Sequence, residues 1–251
     1  KATLLIAGLF SFSNAGSASN QSNHMYKTGP GHWGELGRGT NLASGSHILW
    51  PLQTAPFTMV MGRHKHHSDT SDLPFSFLIE NQGISYLAPA VNLFKAGTAR
   101  DFAKWPKRDG RKGNDLLDCI NFNQLSPYTA QLMMDGIEAL QDLSAVESPS
   151  YEYNGATITL KALRRGLEYY RMGLAKYLGG VFAANRDALV EPGIVKASED
   201  RWCDISGLLA PCSEIGRLMD SLGDGTIAAL GQFNEAVKAL DARYHVLELE
   251  W

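Results

Sequence analysis

Six of the seven histidines lie before residue 68: His24, His32, His47, His64, His66 and His67. The densest stretch is Arg63-His64-Lys65-His66-His67-Ser68-Asp69. On an extended backbone alternate side chains share a face, so His64 and His66 could both ligate a divalent metal. Asp69 or Asp72 would add an oxygen ligand, and His32 is a further candidate. A metal-dependent hydrolase or lyase built on this segment is one expectation. It lacks a third strong ligand close in sequence, and the chain has no His-Glu-x-x-His.

Other residue types suit acid–base work. Glu35, Asp69, Asp72, Glu152 and Asp204 could act in cleavage of a polysaccharide, with Trp33, Trp50, Trp105 or Trp202 lining a sugar site. The cluster Lys104, Lys107, Arg108, Arg111 and Lys112 could touch phosphate or an anionic lipid surface, although a solvated turn explains it equally well. No Gly-x-Ser-x-Gly or Walker loop is present. The run Gly29-Pro30-Gly31-His32-Trp33-Gly34-Glu35-Leu36 is similar to the entry segment of α-carbonic anhydrases, and His64-Lys65-His66 to that family's zinc pair. That family's third histidine has no counterpart here before His245, so the resemblance assigns neither fold nor zinc.

Formal net charge is −3 over 251 residues, with no global basic field to attract nucleic acid. Lys1, the apolar run to Phe10 and the small residues ending at Ala15 follow the tripartite pattern of a secretory signal. On that reading residues 1–15 are a signal peptide, 16–46 a Gly/Ser/Asn-rich leader, and 47–251 one α-rich domain in the periplasm or outside the cell. Within it, 47–90 would be a strand and loop part and 91–251 a helical part. In such a compartment Cys203 and Cys212 are the expected disulfide, with Cys119 left over.

The elements that would position these residues divide at about residue 90. Before it, short β-type runs at 47–50, 57–61, 75–79 and 84–87 are punctuated by Pro51, Pro56, Pro74 and Pro89, which suggests edge strands or irregular loops. After it, 92–105 reads as a short helix stopped by Pro106. Ser126-Pro127 starts another helix with a stripe through Leu132, Met133, Ile137, Leu140 and Leu143. Tyr151–Ile158 reads as a hairpin whose Asn154-Gly155 supplies a type I′ turn.

Two long helices follow, with alternating three- and four-residue apolar spacing: Leu160 to Val181 and Leu230 to Leu247. Gly166, Gly173 and Gly180 recur every seventh residue along the first, which predicts close approach by a neighbouring helix. The expected fold is α+β and α-rich, an irregular short-strand N-terminal part packed on a helical C-terminal part with one β-hairpin. The expected function is non-enzymatic: interaction or assembly with another protein of the cell envelope or a secreted complex. No cofactor beyond the possible divalent metal is expected. A membrane-active helical toxin, acting on a membrane surface through the seam Leu167 to Val181, is a further alternative.

Overall fold

The structure, a computed structural model, describes residues 2–3, 7–10, 12–21, 33–112, 118–187 and 198–251. The first ten strands are β1 (Ala2–Thr3), β2 (Ala7–Phe10), β3 (Asn14–Ala15), β4 (Asn20–Gln21), β5 (Trp33–Leu36), β6 (Asn41–Leu42), β7 (Leu52–Thr54), β8 (Met59–Met61), β9 (Phe77–Asn81) and β10 (Ile84–Ala88). β2, β5 and β7 stack in parallel, and so do β3, β6, β8 and β9. Gly34 pairs with Leu52, Asn41 with Met59 and Met59 with Phe77, eighteen residues apart each time. The chain therefore retraces the same path at that interval and forms a parallel β-coil.

Period-2 alternation gives each coil face an inside and an outside. Leu42, Val60 and Leu78 are register partners, and none is more than 2% exposed. The preceding positions, Asn14, Asn41, Met59 and Phe77, form the outward row of the same strands. At a coil spacing of roughly 4.8 Å these rows are continuous ladders of touching side chains. Gly34 has a packing reason: a Cβ there would overlap the indole ring of Trp50, which is 0% exposed. Buried threonines complete the interior, with Thr40 Oγ1 and Thr54 Oγ1 2.8 Å apart.

Residues 7–10 and 14–15, which the sequence pattern places in a signal, pair here with 33–36 and 41–42. The segment expected as a leader contains β5 and β6, and β6 lies inside the seven-stranded sheet. The expected edge strands at 57–61 and 75–79 are interior strands β8 and β9, and of 47–50 only His47 forms a bridge, to Arg63. Pro51, Pro56 and Pro74 fall between strands, so none removes a donor from the ladder.

The coil ends where β9 and β10 turn back as an antiparallel pair and β10 accepts the hairpin β11 (Ser150–Tyr153) and β12 (Ala156–Thr159). Asn154 and Gly155 have φ of 44° and 81°, and the register pairs Tyr153 with Ala156 and Tyr151 with Ile158, as their spacing predicts. Helix α3 (Pro127–Ser144) is capped by Ser126, which exchanges hydrogen bonds with Thr129 in a capping box. Helix α4 (Leu160–Ala184) starts at Thr159 and packs on α3, β10 and β12. A Cβ on Gly173 would lie 2.5 Å from Leu93 Cδ2 and 2.8 Å from Met133 Sδ, and one on Gly166 3.0 Å from Leu140 Cδ1 and Pro89 Cβ. Gly180 faces open space, so close packing explains two of the three spaced glycines.

Instead of one helix over 92–105 there is a 3-10 turn (Val91–Phe94), then α1 (Ala96–Phe102) and α2 (Trp105–Arg108). Pro106 sits in the first turn of α2, where its missing N–H costs nothing, and so begins a helix rather than ending one. The C-terminal part is a hairpin, β13 (Trp202–Ile205) and β14 (Leu208–Pro211), surrounded by α5 (Cys212–Gly223), α6 (Leu230–Ala242) and α7 (Tyr244–Glu250). The expected helix over 230–247 is broken at Arg243, and the break lets Leu240, Tyr244 and Leu247 all bury against Trp202. The architecture is α+β, with a helical C-terminal part.

Two buried polar devices join this unit to the rest. Gln131 of α3 holds the backbone of Trp202 like a strand partner: its Oε1 accepts from Trp202 N at 2.8 Å and its Nε2 donates to Trp202 O at 2.6 Å. Arg38, at a coil corner and 0% exposed, donates to Asn121 O and stands 3.6 Å from Asp204 Oδ2.

Candidate ligand-binding cleft

Outside the coil, the ladder Asn41–Met59–Phe77 is the floor of a cleft of about 350 Å³. Short helix α1 forms one wall and Trp105 of α2 closes an end. The sequence sets this up simply: residues facing out of a parallel coil must meet either water or another element, and here the element is α1. Not one α1 residue is buried, so the helix leans over the floor without sealing it.

Asn92 fixes that wall. It is 5% exposed, its Nδ2 donates to Phe57 O at 2.6 Å, and its Oδ1 accepts from Thr98 Oγ1 at 2.5 Å. One amide thus ties the coil corner at Phe57 to the first turn of α1. Asn41 Oδ1 accepts from Asn14 at 2.8 Å, which leaves the Asn41 Nδ2 as a donor at the polar end of the floor. The apolar end is made by Met59, Phe77, Phe102 and Trp105.

The charged residues lining the cleft are Lys95, Arg100 and Asp101. Segment 95–112 carries seven basic and two acidic side chains. Both acids are taken by neighbours: Asp101 accepts from Arg100 at 3.1 Å and Asp109 binds Arg111 at 2.6 Å. Lys95 Nζ lies 6.0 Å from the centre of the Phe77 ring and is exposed. None of the basic cluster singled out in the sequence, Lys104, Lys107, Arg108, Arg111 and Lys112, lines the cleft; its cations are Lys95 and Arg100, and its aromatic floor comes from the coil. An apolar floor beneath the Lys95 ammonium can hold a flat ring with an anionic group attached.

The histidine segment is arranged differently from expectation. His64 is 0% exposed and both its ring nitrogens are occupied. Nε2 is 3.0 Å from the Met61 carbonyl, which can only accept, so Nε2 carries the proton and Nδ1 accepts from Ser85 Oγ at 2.8 Å. Burial pushes its pKa down to about 4. His66 is exposed, so it does not converge with His64, and Asp69 Oδ1 accepts instead from Ser71 N and Oγ at 3.0 and 2.7 Å. His32 lies outside the described residues. Among the described residues no group of three or more His, Cys, Asp or Glu is placed to hold a metal ion.

Glu35 points out of the coil, and burial, then Asp204 and Asp69, raises its pKa. Cys203 and Cys212 are free thiols at the ends of the second hairpin, and burial followed by the neighbouring Cys212 raises the Cys203 pKa. The α4 seam is packed into the core through Leu163, Tyr170 and Tyr177, with Leu167, Leu174 and Val181 against it, and so is not presented to a membrane. No helix among the described residues is long and apolar enough to cross one.

A family model described as a domain of unknown function (DUF4954) matches residues 1–144, and another so described (DUF6819) matches residues 189–251. The first covers the coil, α1, α2 and α3; the second covers the β13–β14 hairpin and the helices around it. No curated protein and no solved structure matches the chain.

Proposed function

Starting from a chain that belongs to the DUF4954 family, we propose that it is a binding protein for a small anionic molecule bearing a planar ring, the chemistry of a nucleoside phosphate. The observation that carries this is the in-register Met59–Phe77 floor beneath Lys95, with Arg100 on the α1 wall. The ring would lie on Phe77 and Met59 while Lys95 and Arg100 meet the phosphates. Calorimetric titration with ADP and with UDP tests it. Binding should weaken at least tenfold in Phe77→Ala and in Lys95→Glu, and should fall steeply with added salt. Absence of binding by both nucleotides at millimolar concentration would sink the reading.

A second reading, assembly with another copy of the chain, is favoured by the far end of α4. There Leu178 and Phe182 are 53% and 58% exposed beside glycines with open space around them. Such neighbouring exposed apolar side chains are a common mark of protein contact surfaces. Sedimentation at increasing concentration should show association that Leu178→Glu with Phe182→Glu abolishes. A monomer throughout would remove this reading and leave the first intact.

A further inference from the structure

A second cleft, of about 360 Å³, opens on the face of the coil built by β5 and β7. Its organisation follows from register. Gly34 pairs with Leu52 and Gln53 bridges Asp69, so the outward positions fall into two parallel rows. One row carries rings: Trp33, Pro51 and His67. The other, two residues further along each strand, carries planar hydrogen-bonding groups: Glu35, Gln53 and Asp69. Rows two residues apart are separated by roughly 6.8 Å, and successive members of a row by roughly 4.8 Å.

The rows are held firmly. His67 Nδ1 donates to Pro51 O at 3.1 Å. The turn of the first hairpin is stapled on at the rim, where Asp69 N donates to Asn154 O at 3.0 Å and Ser68 Oγ to Gly155 O at 3.3 Å. That brings Asn154, a further amide, to the edge of the cleft. Ser71 occupies only Asp69 Oδ1, which leaves Oδ2 able to accept from a ligand. Trp33 is 49% exposed, an indole left in water beside a row of hydrogen-bonding side chains. Among the described residues no Lys or Arg lines this cleft, in contrast to the one beneath α1.

We propose that this face is a carbohydrate-binding site for a neutral oligosaccharide. A sugar ring has an apolar C–H face and a rim of vicinal hydroxyls. Trp33 offers a flat surface for the first, and Gln53, Asp69 and Asn154 offer paired donors and acceptors for the second. The acidic character set by Glu35 and Asp69 excludes uronate chains by repulsion. Repetition from coil to coil extends the surface along the stack, so a chain of sugars fits it better than a single ring.

The test uses the full chain and four probes, cellotetraose, maltotetraose, chitotetraose and tetragalacturonate, read by calorimetry. At least one neutral tetrasaccharide should bind, and tetragalacturonate should not. Trp33→Ala, an exposed position whose loss leaves the core untouched, should weaken binding at least tenfold. Gln53→Ala should weaken it severalfold, with thermal unfolding of both variants close to that of the parent. Saturating ADP should leave the sugar titration unchanged, since the clefts lie on different faces. No binding of any neutral probe at 10 mM, set at roughly the millimolar floor of useful affinity, or binding undiminished in Trp33→Ala, would overturn the proposal.

Discussion

His64 shows how a residue type with several chemistries is committed to one by its surroundings. Placed between Ser85 and Met61 inside the coil, it is a neutral hydrogen-bonding strut. In the unfolded chain it takes a proton near 6.5, whereas in the fold it does so only near 4. Between those values the unfolded state binds more protons, so stability rises with pH across the window and is lost as pH falls through it. The loss by pH 4 is on the order of 3 kcal/mol. Urea unfolding of the parent and of His64→Gln at pH 7.5 and 4.5 checks this. The parent should lose markedly more stability than the variant; an equal loss would show that His64 stays neutral in neither state. From sequence this position is indistinguishable from His66, because both lie beyond the end of β8 at Met61, where strand alternation no longer fixes the side each takes.

At the scale of elements, local signals were legible and long-range ones were not. The capped start of α3, the Asn154-Gly155 turn and its cross-strand partners, and most of α4 follow from neighbours within four residues, and all stand in the structure. The coil does not, because its strands are two to five residues long and are specified by partners 18 to 27 residues away. A Leu-rich run such as residues 2–10 satisfies both a signal's composition and a coil strand's. The clefts were half legible: Trp33, Glu35 and Asp69 are visible as types, but what brings them onto one face is pairing across eighteen and then sixteen residues. The glycines of α4 allow a sharper test. Gly173→Val must displace both Leu93 and Met133 and should cost about 1–3 kcal/mol. Gly180→Ala meets nothing within 4 Å and should stabilise the helix by about 0.5–1 kcal/mol. Thermal unfolding of the pair should shift in opposite directions; a shared sign would count against close packing at Gly173.

At the scale of the molecule, the matched segments 1–144 and 189–251 are fastened by a charge pair and an amide clamp rather than by apolar contact alone. Arg38 has no exposure, and its Nε and Nη1 lack hydrogen-bond partners, so the Asp204 carboxylate is its main electrostatic compensation. Asp204→Asn removes that compensation and should cost about 3 kcal/mol, the usual penalty for leaving one buried charge alone. Replacing Arg38 by Met as well should recover part of it. A double variant no more stable than Asp204→Asn would show that Arg38 serves through its bond to Asn121 instead.

The spacing of the coils also sets where the chain can change length. Most partners are eighteen residues apart, yet Ala7 pairs with Trp33 and Asn14 with Asn41 across 26 and 27 residues. The interval between paired strands is thus eight or nine residues longer there, with the ladders still in step. Segments between strands are free to gain sequence, while a single residue added within β7 would turn every outward side chain beyond it inward. Divergence within such a protein should run through corner insertions and whole-coil duplications, which carry each face and the ligand surface on it forward unchanged.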